Sequence, residues 1–247
     1  MTLPVIISES KTATSRIRSY ETHHLKMNTI LIRPFATLKI ITLLALFATS
    51  GCHWNWIAGN GHITTENRTV TNFTDVEADG AFEIIWASGT PACSVTTDQN
   101  LLTHVDTTMS GNKLRLHSHG SMRPTHGIKV TLASSQISGA RLTGATRFTG
   151  MKIAGKGFYL DATGASRVNV DGNVTELMAS MTGASRLDAG TLQTETAELS
   201  ISGAGRADVA VSKALKVAIS GAGKVVYSGN PTVEKRISGA GSVRPRD

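Results

Sequence analysis

The chain has 247 residues, of which 40% are hydrophobic and 17% charged, and its formal net charge is +7. Residues 1–51 hold six of the 25 basic side chains and two of the 18 acidic ones, so the remainder carries a net charge of only +3. The basic balance therefore belongs largely to the leader and does not indicate a nucleic-acid-binding protein.

The first predicted element is an export leader. Residues 1–26 are polar and without periodicity, so we expect Met27 to be the true start and residues 27–51 to be a signal peptide. The apolar core at 40–49 is too short to span a bilayer and runs into the phrase FATSGC. This ending resembles the bacterial lipoprotein signal, which implies that Cys52 is lipidated and anchors an exported protein in the cell envelope, with the outer membrane as the expected site. Ordinary secretion with cleavage after Ser50 is the alternative.

Residues 52–72 predict a linker, because they are polar, contain Gly59 and Gly61, and show no apolar stripe. If Cys52 is lipidated, Cys93 has no partner, and we expect it to be buried as a small hydrophobic residue. A disulfide between the two cysteines is the alternative if lipidation fails.

Residues 73–135 contain strand-like runs, the clearest being AFEIIWAS, ACSVTT, NKLRLHS and GIKVTLAS. We expect them to form the first, less regular coils of a larger β structure together with its N-terminal cap. Three histidines, His117, His119 and His126, lie in or near these runs, but their spacing matches no strong metal motif. They are expected to be exposed side chains, and we predict neither a metal nor a cofactor.

A short phrase then returns at nearly constant intervals of 20, 19, 20, 18 and 18 residues, which is typical of a solenoid. The phrase reads TGAT, TGAS or SGAG, and we number each copy from its Thr or Ser as position 0. Positions −1 and +5 are apolar, whereas positions 0, +4 and +6 are mostly polar. This alternation predicts strands. The glycine at +1 fits a corner, and the alanine at +2 is expected to form a layer of small side chains inside it. The copies start at Thr143, Thr163, Thr182, Ser202, Ser220 and Ser238.

Coils of about 18–20 residues can hold three short strands and three turns but not a regular alternation of strand and helix. The prediction is an all-β, right-handed parallel β-helix in one domain over residues 73–247, with rungs about 4.8 Å apart. A β-sandwich of repeated hairpins is the structural alternative.

The order of these phrases resembles a known bacterial family. The chain reads TNFTDVEADGAFEIIWASG, then DQNLLTHVDTTMSGNKLRLHS, then GIKVTLASSQISGA, followed by the train of TGAS and SGAG copies. This layout is similar to the head GIN domain, a family of auto-transporter adhesins. The resemblance implies a right-handed β-helix on a secreted or lipid-anchored envelope protein, and it brings no catalytic residues.

Position +4 carries the sharpest candidate binding pattern. Stacked coils would place its five cations in one column, which could bind a periodic anion such as an acidic glycan or lipopolysaccharide. The alternative is that Asp188 and Asp208, at position +6, neutralise the neighbouring arginines. The candidate anion-binding residues are Arg147, Arg167, Arg186, Arg206 and Lys224.

The sequence therefore favours a non-enzymatic envelope protein that presents a solenoid surface for adhesion. Two alternatives stay open: a carbohydrate-active β-helix enzyme, which would need acidic side chains converging on one groove, and a self-assembling structural module. The C-terminal phrase GSVRPRD ends in proline and charge, which argues for a blocked strand edge.

Overall fold

The computed structural model describes residues 56–246. The leader and the predicted lipidation site Cys52 lie outside the described residues. Within residues 56–246, no helix has the length and apolar character needed to cross a membrane.

The described chain is built almost entirely of strands, with one short 3₁₀ helix at Gln99–His104. The strands are β1 Ile57–Ala58, β2 Ile63–Arg68, β3 Asp75–Gly80, β4 Phe82–Ser88, β5 Ala92–Asp98, β6 Val105–Ser110, β7 Lys113–Ser118, β8 Met122–Arg123, β9 Ile128–Ser134, β10 Gly139–Gly144, β11 Arg147–Gly164, β12 Arg167–Gly183, β13 Arg186–Gly203, β14 Arg206–Gly221, β15 Lys224–Ser228, β16 Thr232–Ser238 and β17 Ser242–Pro245.

The repeats stack as parallel coils, which confirms the predicted fold class. Strands β11 to β14 each run through most of one coil, and each pairs in parallel with the next. From one coil to the next, Arg167 pairs with Arg186 and Arg206 pairs with Lys224. The result is a β-solenoid of about five turns. Every strand pair formed among β10 to β17 is parallel, so the hairpins of a sandwich do not occur there.

The two apolar columns form the core of the solenoid. The residue before each corner is buried in five successive coils, and so is the residue five positions after the corner begins. The last coil differs, because no further coil of residues 56–246 stacks on it, and Ile237 is 39% exposed. The buried members are Leu142, Ala162, Met181, Ile201 and Ile219 in the first column and Phe148, Val168, Leu187, Ala207 and Val225 in the second.

The glycine at each corner is required by the stacking. Gly183 has φ +95°, and a Cβ there would lie 2.6 Å from the carbonyl oxygen of Gly164 in the coil below. That oxygen accepts a hydrogen bond of 2.8 Å from the backbone N–H of Ala184. Each corner therefore leaves no room for a side chain at this position, as the sequence predicted.

The alanine after the corner glycine is not inside the corner, so that expectation was wrong. Ala145, Ala165 and Ala184 are exposed, and the small buried side chains come from the next position, as in Ser166 and Ser185. The period-two alternation continues through the corner without a shift. Positions −1, +3 and +5 therefore point inward, and 0, +2 and +4 point outward.

The N-terminal part continues the solenoid and then closes it. Strands β3 and β4 meet at a corner whose Gly80 pairs with Gly144, and β7 and β9 stack below them in parallel. Beyond these, β6, β5 and β2 add antiparallel strands. The expected first coils and cap are thus present at residues 73–135. Cys93 is buried here as predicted, and burial raises its pKa to about 11, an effect that Arg68 partly offsets.

The predicted linker is partly wrong, because β2 lies within residues 52–72 and pairs with β5 along its whole length. Five of the six β2 residues are exposed, since the strand covers the outside of the cap. The polar composition of β2 is that of an exposed edge strand, and for that reason the sequence analysis interpreted it as a linker.

Candidate anion-binding face

The five predicted cations form one in-register column on the strands that follow the corners. Arg147 pairs with Arg167, and the pairing continues rung by rung to Lys224, with about 4.8 Å between rungs. The four arginines are exposed and Lys224 is half-buried. We call this column the cation ladder; it consists of Arg147, Arg167, Arg186, Arg206 and Lys224.

Backbone hydrogen bonds hold the ladder in place. The backbone N–H of Arg167 donates to the carbonyl of Thr146 at 2.8 Å, and that of Arg186 donates to Ser166 at 2.8 Å. These bonds connect each coil to the one below it immediately after the corner. The rigid corner therefore fixes where each cationic side chain leaves the backbone, although the side chain itself stays in solvent.

The cations of the ladder lack ion partners in the part of the chain that the structure describes. Among residues 56–246, none of the five side chains makes an ion pair or a side-chain hydrogen bond. Asp208, which the sequence offered as a partner for Arg206, instead pairs with Arg246 near the C-terminus. Asp188 makes no ion pair within the same described residues. The alternative of lateral pairing between positions +4 and +6 is therefore not realised here.

The column extends further toward the N-terminus than the repeats indicated. Glu83 pairs in register with Arg147, and Lys129 pairs with Glu83 on the next rung. Sequence reasoning missed this because the corner phrase at Asp79 lies outside the twenty-residue period. The phrase DGAF itself was the available signal. Glu83 places an acidic side chain at the N-terminal end of the ladder.

Two shallow hollows run beside the ladder. One has a volume of about 440 Å³ and is lined by Glu83, Arg147 and Arg167; the other has about 500 Å³ and extends from Arg167 to Arg206. Arg167 borders both hollows, and we call the two together the ladder groove. Exposed alanines of the corners line it: Ala81, Ala145, Ala165, Ala184 and Ala204.

The strands that precede the corners carry charge differently. Here basic and acidic side chains meet on neighbouring rungs, as in Arg141 with Asp161 at 3.3 Å and Lys216 with Glu198 at 3.1 Å. Glu77 likewise lies 3.4 Å from two basic side chains of β7. We call this surface the paired face. Its ion pairs between neighbouring rungs are Lys113–Glu77, Arg115–Glu77, Arg141–Asp161 and Lys216–Glu198, and Arg236–Glu234 joins two residues of β16.

The histidines do not assemble into a metal site. His117 lies 3.3 Å from Asp79, and His119 is hydrogen-bonded to Asp106, while His126 borders the ladder groove. Within residues 56–246, no group of three potential metal-ligating side chains comes together. The hydrogen bond from His119 lowers the pKa of Asp106, and the nearby histidine charges act in the same direction.

Comparisons with known proteins agree with the architecture. A family model described as "Putative auto-transporter adhesin, head GIN domain" matches residues 72–231. A crystal structure of a putative adhesin from Bacteroides fragilis shares 17% identity at a TM-score of 0.64, covering 77% of this chain and 100% of that one. A putative lipid binding protein from Parabacteroides distasonis shares 20% identity at a TM-score of 0.51, covering 78% and 100%. At these identities the two structures show the fold alone. No curated protein matches this chain.

Proposed function

The chain belongs to the head GIN domain family, and we propose that it is a non-enzymatic adhesin of the bacterial cell envelope that attaches to an anionic glycan through its cation ladder. The observation that carries this proposal is the in-register column of five cations without ion partners in the described part of the fold.

The electrostatics of the ladder favour an external anion. Two like charges about 4 Å apart in water repel by about 1 kcal/mol, so neighbouring rungs oppose each other weakly. A polymer with repeated negative charges relieves this repulsion at every rung it contacts. Arginine suits the task, because its planar guanidinium binds a carboxylate or a phosphate through two parallel hydrogen bonds. Each exposed contact contributes only about 0.2–1 kcal/mol, but several contacts to one polymer add through avidity.

The groove geometry supports a binding role over hydrolysis. The carboxylates that border the two hollows are Glu83 and Asp188, which lie three rungs apart, at least about 14 Å. A glycosidase places its two carboxyl groups about 5–10 Å apart. Incubation with acidic polysaccharides should therefore release no new reducing ends. Release that depends on Glu83 or Asp188 would favour the enzyme instead.

Charge reversal with a matched control tests the binding role. We expect the variant Arg167→Glu/Arg186→Glu/Arg206→Glu to lose roughly ten- to hundredfold in affinity for immobilised lipopolysaccharide or polygalacturonate, because three attractive contacts become repulsive. The control Arg141→Glu/Lys216→Glu/Arg236→Glu changes the net charge equally on the paired face and should bind nearly as well as the wild type. Equal binding by the two variants at low ionic strength would refute the ladder as the attachment site.

Anchoring by lipid is the second part of the proposal and rests on the leader sequence. Mass spectrometry of the mature protein should find acyl mass on Cys52, and Cys52→Ser should move the protein out of the membrane fraction. The control Cys93→Ala changes the buried cysteine and should leave the protein membrane-bound. A mature N-terminus at Gly51 without lipid would refute the anchor.

A further inference from the structure

We propose that the ladder groove binds one linear polysaccharide that carries a carboxylate on every sugar and runs parallel to the solenoid axis. This inference rests on the proposed function and narrows its ligand. Its starting point is the spacing of the ladder, whose cations recur at every rung, about 4.8 Å apart. One pyranose residue of an extended glycan has about this length. A polymer with one carboxylate per sugar therefore matches the linear charge density of the ladder, with about one negative charge per rung.

A column of exposed alanines lies between the cations and a column of exposed hydroxyls. The alanines, at position +2, line the groove, whereas the hydroxyls, at position 0, belong to the strand before the corner and line neither hollow. Hydroxyl side chains can donate and accept hydrogen bonds with sugar hydroxyls, and alanine methyl groups can contact the apolar faces of sugar rings while leaving the groove open. The hydroxyl column consists of Thr143, Thr163, Thr182, Ser202 and Ser220.

The two ends of the ladder limit the length of the site. Glu83 occupies the rung before Arg147 and would repel a carboxylate there. Ser242 occupies the rung after Lys224 and offers no charge. The cation ladder therefore spans five rungs, four of which border the groove, and the site should accommodate about five sugars.

The test compares polymers and groove variants on the mature protein. Polygalacturonate, which has one carboxylate per sugar, should bind at least tenfold more tightly than its methyl-esterified form. The variant Ala184→Leu/Ala204→Leu fills part of the groove and should weaken polygalacturonate binding at least tenfold, while retention of dextran sulfate through the ladder changes less than twofold. The matched control Ala218→Leu, at an exposed alanine preceding the next corner, should change neither.

A further measurement keeps the test independent of any folding defect in the leucine variant. Affinity for galacturonate oligomers should rise with length and level off near five sugars. If dextran sulfate binds through the ladder but the groove variant binds polygalacturonate as tightly as the wild type does, this inference is overturned and the proposed function stands. If neither polymer is retained through the ladder, both fail.

A separate observation concerns the C-terminal end. We infer that Lys235 prevents copies of this solenoid from stacking end to end. Strand β16 is the outermost parallel strand on its sheet, and its Lys235 pairs in register with Val217. It therefore continues an inward-facing column whose other members are buried, Ala179, Leu199 and Val217.

A charge that points inward on an edge strand opposes the addition of another strand, because the next coil would bury it without a partner. Pro245 acts on the neighbouring edge, since it lacks a backbone N–H to donate from β17. The apolar groups that surround Lys235 are still incompletely covered: Ile237 is exposed and Val233 is only partly buried. The basic side chain of Lys235 is thus the group that prevents a strand of another copy from pairing with this end of the solenoid.

Light scattering tests this inference. Lys235→Val should produce concentration-dependent oligomers or fibres, whereas the control Arg236→Val, which changes the neighbouring outward side chain, should stay at the wild-type mass. A Lys235→Val protein that keeps the wild-type mass at high concentration would overturn the inference, as would a wild-type protein that already forms end-to-end oligomers.

Discussion

The ladder face and the paired face are built from the same repeat but carry charge in different ways. On the paired face basic and acidic side chains lie next to each other, so side chains such as Arg141 and Asp161 form ion pairs within the fold. On the ladder face one sign repeats over five rungs, and within residues 56–246 those cations have no ion partner. The difference separates a surface whose charges pair within the fold from one whose charges have no ion partner among the described residues.

The largest expected effect is the loss of stability caused by a charged substitution in the hydrophobic core that supports both faces. Ile201 is 1% exposed in the inward column, so Ile201→Asp buries an unpaired charge and should destabilise the domain by roughly 3–5 kcal/mol. Asp208→Ala removes only a partly exposed ion pair with Arg246 and should cost less than about 1 kcal/mol. Thermal unfolding compares the two variants. Equal melting temperatures would show that the inward and outward assignment is wrong.

The next effect concerns the corner that separates the faces. Gly183→Ala places a Cβ 2.6 Å from a backbone oxygen at φ +95° and should cost at least about 1–3 kcal/mol. Gly89→Ala is the control, because a Cβ there meets only Ala133 at an ordinary 3.6 Å. Denaturant unfolding of both variants measures the difference. If Gly183→Ala left the free energy of unfolding nearly unchanged, the corners would be able to relax, and the ladder that they hold would be less rigid than described.

A smaller effect distinguishes the faces through their response to salt. Arg167→Gln/Arg186→Gln/Arg206→Gln removes like-charge repulsion and should raise the melting temperature slightly at low ionic strength. The gain should disappear near 1 M salt, where the screening length is about 3 Å. Lys216→Gln on the paired face removes an attraction to Glu198 and should have no stabilising effect. If both variants respond alike, the contrast between the faces is not electrostatic.

The smallest expected effect is the pH dependence of stability that arises from the hydrogen bond between His119 and Asp106. The hydrogen bond from His119 lowers the pKa of Asp106 below its ordinary value of 3.8. A carboxyl with a lowered folded-state pKa contributes stability above its unfolded pKa, and loses it as pH falls through the folded pKa. His119→Ala should therefore lower the melting temperature slightly at about pH 5 and progressively less toward pH 2. A difference that grows as pH falls would contradict this sign.

The repeated part of the fold was predictable because each coil repeats the same information. The phrase at Thr143 and its successors indicated the corner, the two apolar columns and the register of Arg167 with Arg186. The N-terminal part was less predictable, since its corner at Gly80 and its partner at Gly144 are 64 residues apart with other strands inserted. No period in the sequence could therefore place Glu83 at the end of the ladder.

Another feature depended on a contact that sequence spacing does not encode. The ion partner of Asp208 is Arg246, which lies beyond the last repeat, whereas the sequence offered the nearer Arg206. The exposure of the corner alanines is different, because it follows the same period of two as the apolar columns and could have been predicted from it. The small size of alanine favoured the wrong interpretation.

The measurement that tests the central claim most directly is NMR of the arginine Nε–Hε groups during titration with a galacturonate oligomer. We expect the signals of Arg147, Arg167, Arg186 and Arg206 to shift together and to saturate at one oligomer per protein, while Arg141 and Arg115 on the paired face stay unchanged. Shifts confined to the paired face, or no shift at any ladder arginine at low ionic strength, would contradict the assignment of the cation ladder as the binding surface.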